Sequence, residues 1–372
     1  MMRNEGTGEA AGHEAPVERR GNMRKTWLFM LIGALVLPAA ALGQGCMGGG
    51  GEEGVNVVGF IQPQLEYYPN PDSDEEQFTF SYCRARLGVV GDVPYDISYY
   101  FMMEFAPFMT DSPYMLDAYM SYTRLPFAKI SFGQFKQPFS MERNSSCAGL
   151  HTVYRSKVVE ELAMDRDLGI MALGTVAEGL EYRLAVMNGT GKNSKDDNKG
   201  KDIVGRVIYS PCDYATLGAG FVSGNSKSVV EGADDDTKTR YGGDIEIRYM
   251  NFLAQAEYIY GKDEGSYTTG GGCGGDPEIV QGTVKRNGFF ATVLYETEWN
   301  LQPVLKYERY DPDMDADDDT PETDTWNSWT FGFNYFLNDW TRLQVNYIRN
   351  IEDFVPAYDN DEFVIQMQVK IQ

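Results

Sequence analysis

The lengths of the gaps between strand-like runs constrain this chain more than any motif. From Val55 to Ile371 it falls into sixteen runs in which apolar residues alternate with polar or small ones, near 55–67, 77–91, 95–106, 114–124, 129–137, 167–176, 180–188, 202–210, 214–223, 240–250, 252–262, 285–297, 299–310, 326–336, 340–350 and 361–371. Eight long gaps, 68–76, 107–113, 138–166, 189–201, 224–239, 263–284, 311–325 and 351–360, interleave with seven short ones at 92–94, 125–128, 177–179, 211–213, 251, 298 and 337–339. A run of about ten residues is what a tilted strand needs to cross a bilayer core. Tight turns on one side and long loops on the other mark an outer-membrane barrel, and a soluble sandwich has no reason to sort its loops this way. The spacing predicts an all-β transmembrane antiparallel β-barrel of about 16 strands over residues 55–372.

The faces of the runs agree. In 95–106, Tyr95, Ile97, Tyr99, Phe101, Met103 and Phe105 share one parity and Asp96, Ser98, Tyr100, Met102, Glu104 and Ala106 the other. In 326–336, Trp329, Phe331, Phe333 and Tyr335 oppose Thr330, Gly332 and Asn334. Successive side chains point to opposite faces of a sheet, so one face meets lipid and the other a wet lumen. No backbone polar group can stay unpaired in lipid, so the sheet must close. Two runs conflict. Phe78, Phe80 and Tyr82 share parity with Arg84 and Arg86, and Ile130 and Phe132 share parity with Lys136. A β-bulge in each would resolve the conflict.

The only long apolar run is N-terminal. Arg24 and Lys25 precede Trp27–Leu37, Pro38 breaks the run, and Ala39–Gly43 offers small-residue cleavage sites. This is the pattern of a secretory signal. Residues 23–43 are therefore read as the signal peptide, 1–22 as an extension or misplaced start, and 44–54 as a Gly-rich spacer. Cys46 raises the alternative of a lipoprotein, but no Leu stands three positions before it. A formal net charge of −23 argues against nucleic acid as a partner. The five cysteines at 46, 83, 147, 212 and 273 contain no CxxC pair, so no metal site is expected, and no cofactor is implied. Whether Cys147 and Cys273 meet stays open at this level.

The gap at 138–166 is the longest. Ser156–Met164 (SKVVEELAM) has helical apolar spacing behind a serine placed to cap it. A long segment with its own helix between two strands is usually functional. Sixteen strands leave an aqueous channel unless something fills it; folded inward, this third outer loop would narrow the pore. The pore-lining and constriction candidates are Arg84, Arg86, Lys136, Arg143, Arg155, Lys157, Arg166, Arg183 and Arg206, since fixed charges set selectivity in such pores. Parity also places Arg248, Lys306, Arg342 and Lys370 on the lumen face, with the acids Asp96, Glu104, Asp117, Glu181, Asp244, Glu246, Glu257, Glu296 and Glu308.

GQFKQPFSMERNSS at 133–146, VYRSKVVEEL at 153–162 and RDLGIMALG at 166–174 resemble the phosphate-selective porin O and P family. RARLGVVGDV at 84–93, LDAYMSYTRLP at 116–126 and FGFNYFLNDWTRLQVNY at 331–347 extend the resemblance. It implies a sixteen-stranded homotrimeric porin in the outer membrane; lipid around the barrel and lipopolysaccharide at the acidic outer loops are the partners expected of such a chain. It also implies an inward third loop and passive diffusion of small hydrophilic solutes or ions, with an anion (phosphate) preference. The chain departs from the family in its acidic total and in ending Lys370-Ile371-Gln372 rather than on an aromatic. The alternative is a plugged structural or adhesive barrel without transport. An enzyme is not expected: His151 is the one histidine after the signal, and there is no GxSxG elbow to supply a serine nucleophile with a base.

Overall fold

The computed structural model describes residues 54–69, 77–109, 112–230, 234–269, 278–316, 323–351 and 360–371. The signal-peptide, extension and spacer readings up to residue 53, and Cys46 and Cys273, lie outside them. The strands are β1 (Gly54–Tyr67), β2 (Phe78–Val93), β3 (Ile97–Glu104), β4 (Tyr114–Leu125), β5 (Ala128–Lys136), β6 (Arg166–Ala177), β7 (Leu180–Met187) and β8 (Asp202–Cys212). They continue as β9 (Ala215–Ser226), β10 (Asp236–Tyr249), β11 (Phe252–Thr269), β12 (Glu278–Tyr295), β13 (Leu301–Asp311), β14 (Trp326–Phe336), β15 (Thr341–Ile351) and β16 (Glu362–Ile371). Each pairs antiparallel with its sequence neighbours, and β1 closes on β16 from Gly59↔Ile371 to Tyr67↔Phe363. Closure removes both sheet edges, which a bilayer requires.

All sixteen runs become strands, with boundaries shifted by a few residues at several ends and three differences of more consequence. The gap expected at 263–284 is largely sheet, because β11 and β12 stay in register from Phe252↔Tyr295 to Thr269↔Glu278. The β-branched and aromatic stretches around Tyr267 and Ile279 can pair beyond the bilayer as readily as within it. The turn expected at Glu298 alone spans 296–300, held by Thr297 N–H donating to Leu301 O at 3.0 Å. Asp96 is a turn residue with φ 60 beside Tyr95 with φ 75, and is not on the wall.

The two parity conflicts resolve differently. Opposite β1, the register jumps from Gln62↔Arg84 to Pro63↔Tyr82, so Cys83 is the extra residue of a bulge. Below it Arg84 and Arg86 turn inward, while Phe78, Phe80 and Tyr82 above stay exposed. In β5 the pairing with β6 is continuous from Lys129↔Leu173 to Lys136↔Arg166, so the expected bulge is not there. The distortion falls instead at Gly133, where φ is 135 and a Cβ would overlap Ala118 O. Beyond it Gln134, Phe135 and Lys136 are all buried.

The outer face is an apolar band, with Phe101, Met120, Phe132, Ile170, Leu184, Ile203, Val293 and Phe331 exposed. The inner face is not uniformly wet. Tyr100, Met102, Tyr119, Phe135, Met171, Met187, Val204, Val222, Ile259, Phe290 and Tyr310 form one buried apolar cluster with Phe139, Val158, Val159 and Leu162 of the β5–β6 connection. That connection carries α1 (Met141–Asn144) and α2 (Lys157–Leu162). Burying each large apolar side chain of α2 contributes about 1.5–3 kcal/mol. Ser140 caps α1, its Oγ accepting from Arg143 N–H at 3.1 Å. Ser156 stands at the N-cap of α2 but makes no side-chain cap, because its Oγ donates to Glu142 Oε2 at 2.8 Å instead.

Candidate functional site in the barrel lumen

The segment from Gln137 to Asp165 is fastened to inward-facing residues on many strands. Phe139 O accepts from Arg206 Nη1 of β8 at 2.7 Å. The N–H groups of Met141 and Glu142, at the start of α1, donate to the two oxygens of Glu257 on β11 at 3.1 and 3.0 Å. Further on, Ala148 O accepts from Gln368 of β16, Leu150 O from Arg342 of β15, and His151 O from Asn334 of β14. Val153 N–H donates to Asn346 Oδ1 at 2.8 Å and Lys157 N–H to Glu308 Oε2 of β13 at 3.1 Å. Strand side chains thus take up backbone groups that a short, irregular segment cannot pair within itself.

The candidate cations divide by partner. Arg206 forms a two-pronged pair with Asp244 at 2.7 and 2.9 Å, and Arg166 does the same with Asp117 at 3.1 and 3.0 Å. Arg86 pairs with Glu104 at 2.7 Å. Arg143 holds Glu160 at 3.1 Å, and Lys157 holds Glu161 at 2.9 Å while lying 5.8 Å over the Trp326 ring. Lys136 Nζ donates to Ser145 O at 2.8 Å. Among the described residues, Arg84 and Arg342 form no ion pair with a carboxylate. Arg342 matters more here than several of the nine candidates, although parity alone already put it on the lumen face.

Arg84 and Arg342 are the two ends of one ladder. Arg84 Nη1 donates to Gln62 Oε1 at 3.0 Å, Gln62 Nε2 to Gln368 Oε1 at 2.8 Å, and Arg342 Nη2 to the same Gln368 oxygen at 3.0 Å. Neutral amides carry the connection across β2, β1, β16 and β15, so neither guanidinium is neutralised by it. The Nε of Arg342 is buried without a partner among the described residues.

Beside the ladder, Cys147 Sγ accepts from Arg86 Nη1 at 2.9 Å and Arg155 Nη2 at 3.1 Å. Burial would raise this thiol's pKa, but Arg155, Arg86, Arg84 and Lys136 outweigh it and hold it well below the usual value. The two donating guanidiniums thus favour the deprotonated sulfur within the connection. Nearby, burial with Arg248 and Arg342 pushes His151 down to about 3, so its imidazole is neutral. Asp165 is held well below the carboxylate range, since Arg166, Arg143 and Lys192 overcome its burial. Cys83, Cys147 and Cys212 are free thiols. Among the described residues no cluster of His, Cys, Asp or Glu could hold a metal ion.

A closed barrel of sixteen antiparallel strands, apolar outside and charged and amide-lined inside, is a porin-type channel of the outer membrane. The sequence matches the phosphate-selective porin O and P family over residues 55–371, and the chain belongs to that family. No curated protein sequence matches it. Among solved structures it resembles the anion-selective porin from Comamonas acidovorans, with TM-score 0.63 and 12% identity over 86% of this chain and 100% of that one. It resembles the outer membrane channel DcaP of Acinetobacter baumannii with TM-score 0.63 and 16% identity, over 86% and 99%. The trimer form of OmpT from Vibrio cholerae gives TM-score 0.58 and 13% identity, again over 86% and 99%.

Proposed function

We propose that this outer-membrane diffusion channel passes small anions in preference to cations. The observation that carries the reading is a local positive excess at the Arg84–Arg342 ladder. Among the described residues these two buried guanidiniums make no ion pair, whereas Arg86, Arg206 and Lys306 are each matched by an acid. Arg183 and Arg206 also stand abreast in the β7–β8 register. A fixed positive excess inside a low-dielectric wall attracts anions whatever the sign of the whole chain. Much of the acid lies in the long connections, as in DPDMDADDDTPETD at 311–324, where salt screens it. The family's name supports phosphate as one permeant ion, and the anion-selective neighbour supports the sign. Of the nine candidates, Arg84 and Arg183 are read as acting on the permeant ion through their field from within the wall. Arg143, Arg155, Lys157 and Arg166 brace the connection, which forms the constriction.

A homotrimer is part of this reading, supported by the trimer form of the Vibrio cholerae neighbour. So are a lipid-embedded outer band, lipopolysaccharide around the long connections, and export through residues 23–43. A second reading, a plugged structural barrel, is favoured by one observation: Gln62, Gln344, Asn346, Gln366 and Gln368 are almost wholly covered. Reversal potential across a planar bilayer under a salt gradient separates the two. Anion selectivity that falls in Arg84→Gln with Arg342→Gln supports the proposal. Cation selectivity overturns its sign, and absence of any conductance leaves the plugged barrel.

A further inference from the structure

Above the point where the connection is tied to β15 lies a cavity of about 270 Å³. It sits between Thr152–Glu160 of the connection and the inner face of β13–β16. Its lining is balanced in charge, with three cations, Arg155, Lys157 and Lys306, against three carboxylates, Glu160, Glu308 and Glu362. Each charge is already engaged. Lys306 Nζ lies 3.2 Å from Glu308, Arg155 Nη1 lies 4.0 Å from Glu160, and Tyr154 Oη donates to Glu362 at 2.8 Å.

That arrangement selects by charge pattern. A plain anion that draws Lys306 to itself leaves Glu308 buried and unpaired, and a plain cation does the reverse; breaking a buried pair in this way is strongly unfavourable. A solute carrying both signs exchanges partners like for like. Two further groups narrow the class. The indole Nε1–H of Trp326 and the Oδ1 of Asn350 both belong to lining residues, and both are buried without a partner among the described residues. One is a donor and the other an acceptor, the complement of a peptide C=O and N–H. The volume is just below the range of about 300–1,000 Å³ typical of sites for drug-sized ligands.

We propose that this cavity binds zwitterionic dipeptides on their way into the channel. The terminal ammonium meets Glu308 or Glu362, the carboxylate meets Lys306 or Lys157, and the central amide meets Trp326 and Asn350. The assignment rests on the channel reading of the previous section and adds a solute class to it.

The test uses the purified full chain in a planar bilayer, with alanyl-alanine as probe. It should block the salt current in a concentration-dependent way, and at least about tenfold more strongly than N-acetylalaninamide, which keeps amides but no charges, or N-acetylalanine, which keeps only the carboxylate. Trp326→Phe, which removes the N–H and keeps a ring, should weaken the block several-fold, by roughly the loss of one hydrogen bond. Equal block by the capped compounds, or salt conductance without any dipeptide block, overturns the proposal while leaving the channel intact. No salt conductance at all would instead sink the channel reading.

Discussion

Replacing Cys147 by serine should loosen the β5–β6 connection while keeping its shape. The sulfur accepts from two guanidiniums, at 2.9 Å from Arg86 and 3.1 Å from Arg155. Hydrogen bonds to charged groups contribute about 1.5–3 kcal/mol each, roughly twice the neutral kind. Serine keeps the acceptor but loses the charge, so about half of the two bonds is lost, roughly 1.5–3 kcal/mol in sum. Arg86 retains Glu104, and Arg155 retains the carbonyls of Glu142 and Ser145, which limits the damage. The readout is amide hydrogen exchange across α1 and α2 in the folded channel. At about 1.4 kcal/mol per decade, exchange should quicken roughly 10–150-fold. In the parent the effect depends on pH with a definite sign. The seated thiol has a depressed pKa, so its contribution is complete above the ordinary value of 9.0 and fades as pH falls through the depressed one. The serine variant should lose that dependence. Exchange within about threefold of the parent, or the same pH dependence in both, would refute the thiolate as a structural ion.

Two further substitutions probe how the connection and its strand are held. Asp244→Asn leaves Arg206 buried without its partner and weakens its hold on Phe139 O; it should cost about 3–5 kcal/mol, read as a lower temperature for heat-modified gel migration. Gly133→Ala puts a Cβ against Ala118 O at φ 135, and should reduce the yield of folded barrel while Gly149→Ala, which meets only Ser146 Cβ at 3.9 Å, should not.

Strand rhythm was the part of this fold written most plainly in the chain, because a two-residue period with one lipid face leaves a strong imprint. Even the clash of Phe80 and Tyr82 with Arg84 carried information, since it marked the bulge at Cys83. The dry half of the lumen was harder to see. Tyr100, Met102, Met171 and Met187 occupy the parity expected to be wet, and alternation cannot reveal that they join one buried cluster with side chains of other strands and of the β5–β6 connection. Their apolar character on both faces of 97–103, ISYYFMM, was the available signal. Which cations are free was not legible at all. Arg206 and Asp244 lie 38 residues apart and meet only through the register of β8, β9 and β10. Cys147 reads as a bystander until two guanidiniums are placed beside it.

The ladder from Arg84 to Arg342 also sets an order of events. Two of its four members, Gln62 and Gln368, stand on opposite sides of the seam where the first strand meets the last. The seat for residues 147–150 is built from both sides of that seam. A barrel still open along it has only half a seat to offer. Docking of the connection's tip is therefore a late event in assembly, and a correctly seated tip reports that the final strand has been zipped in.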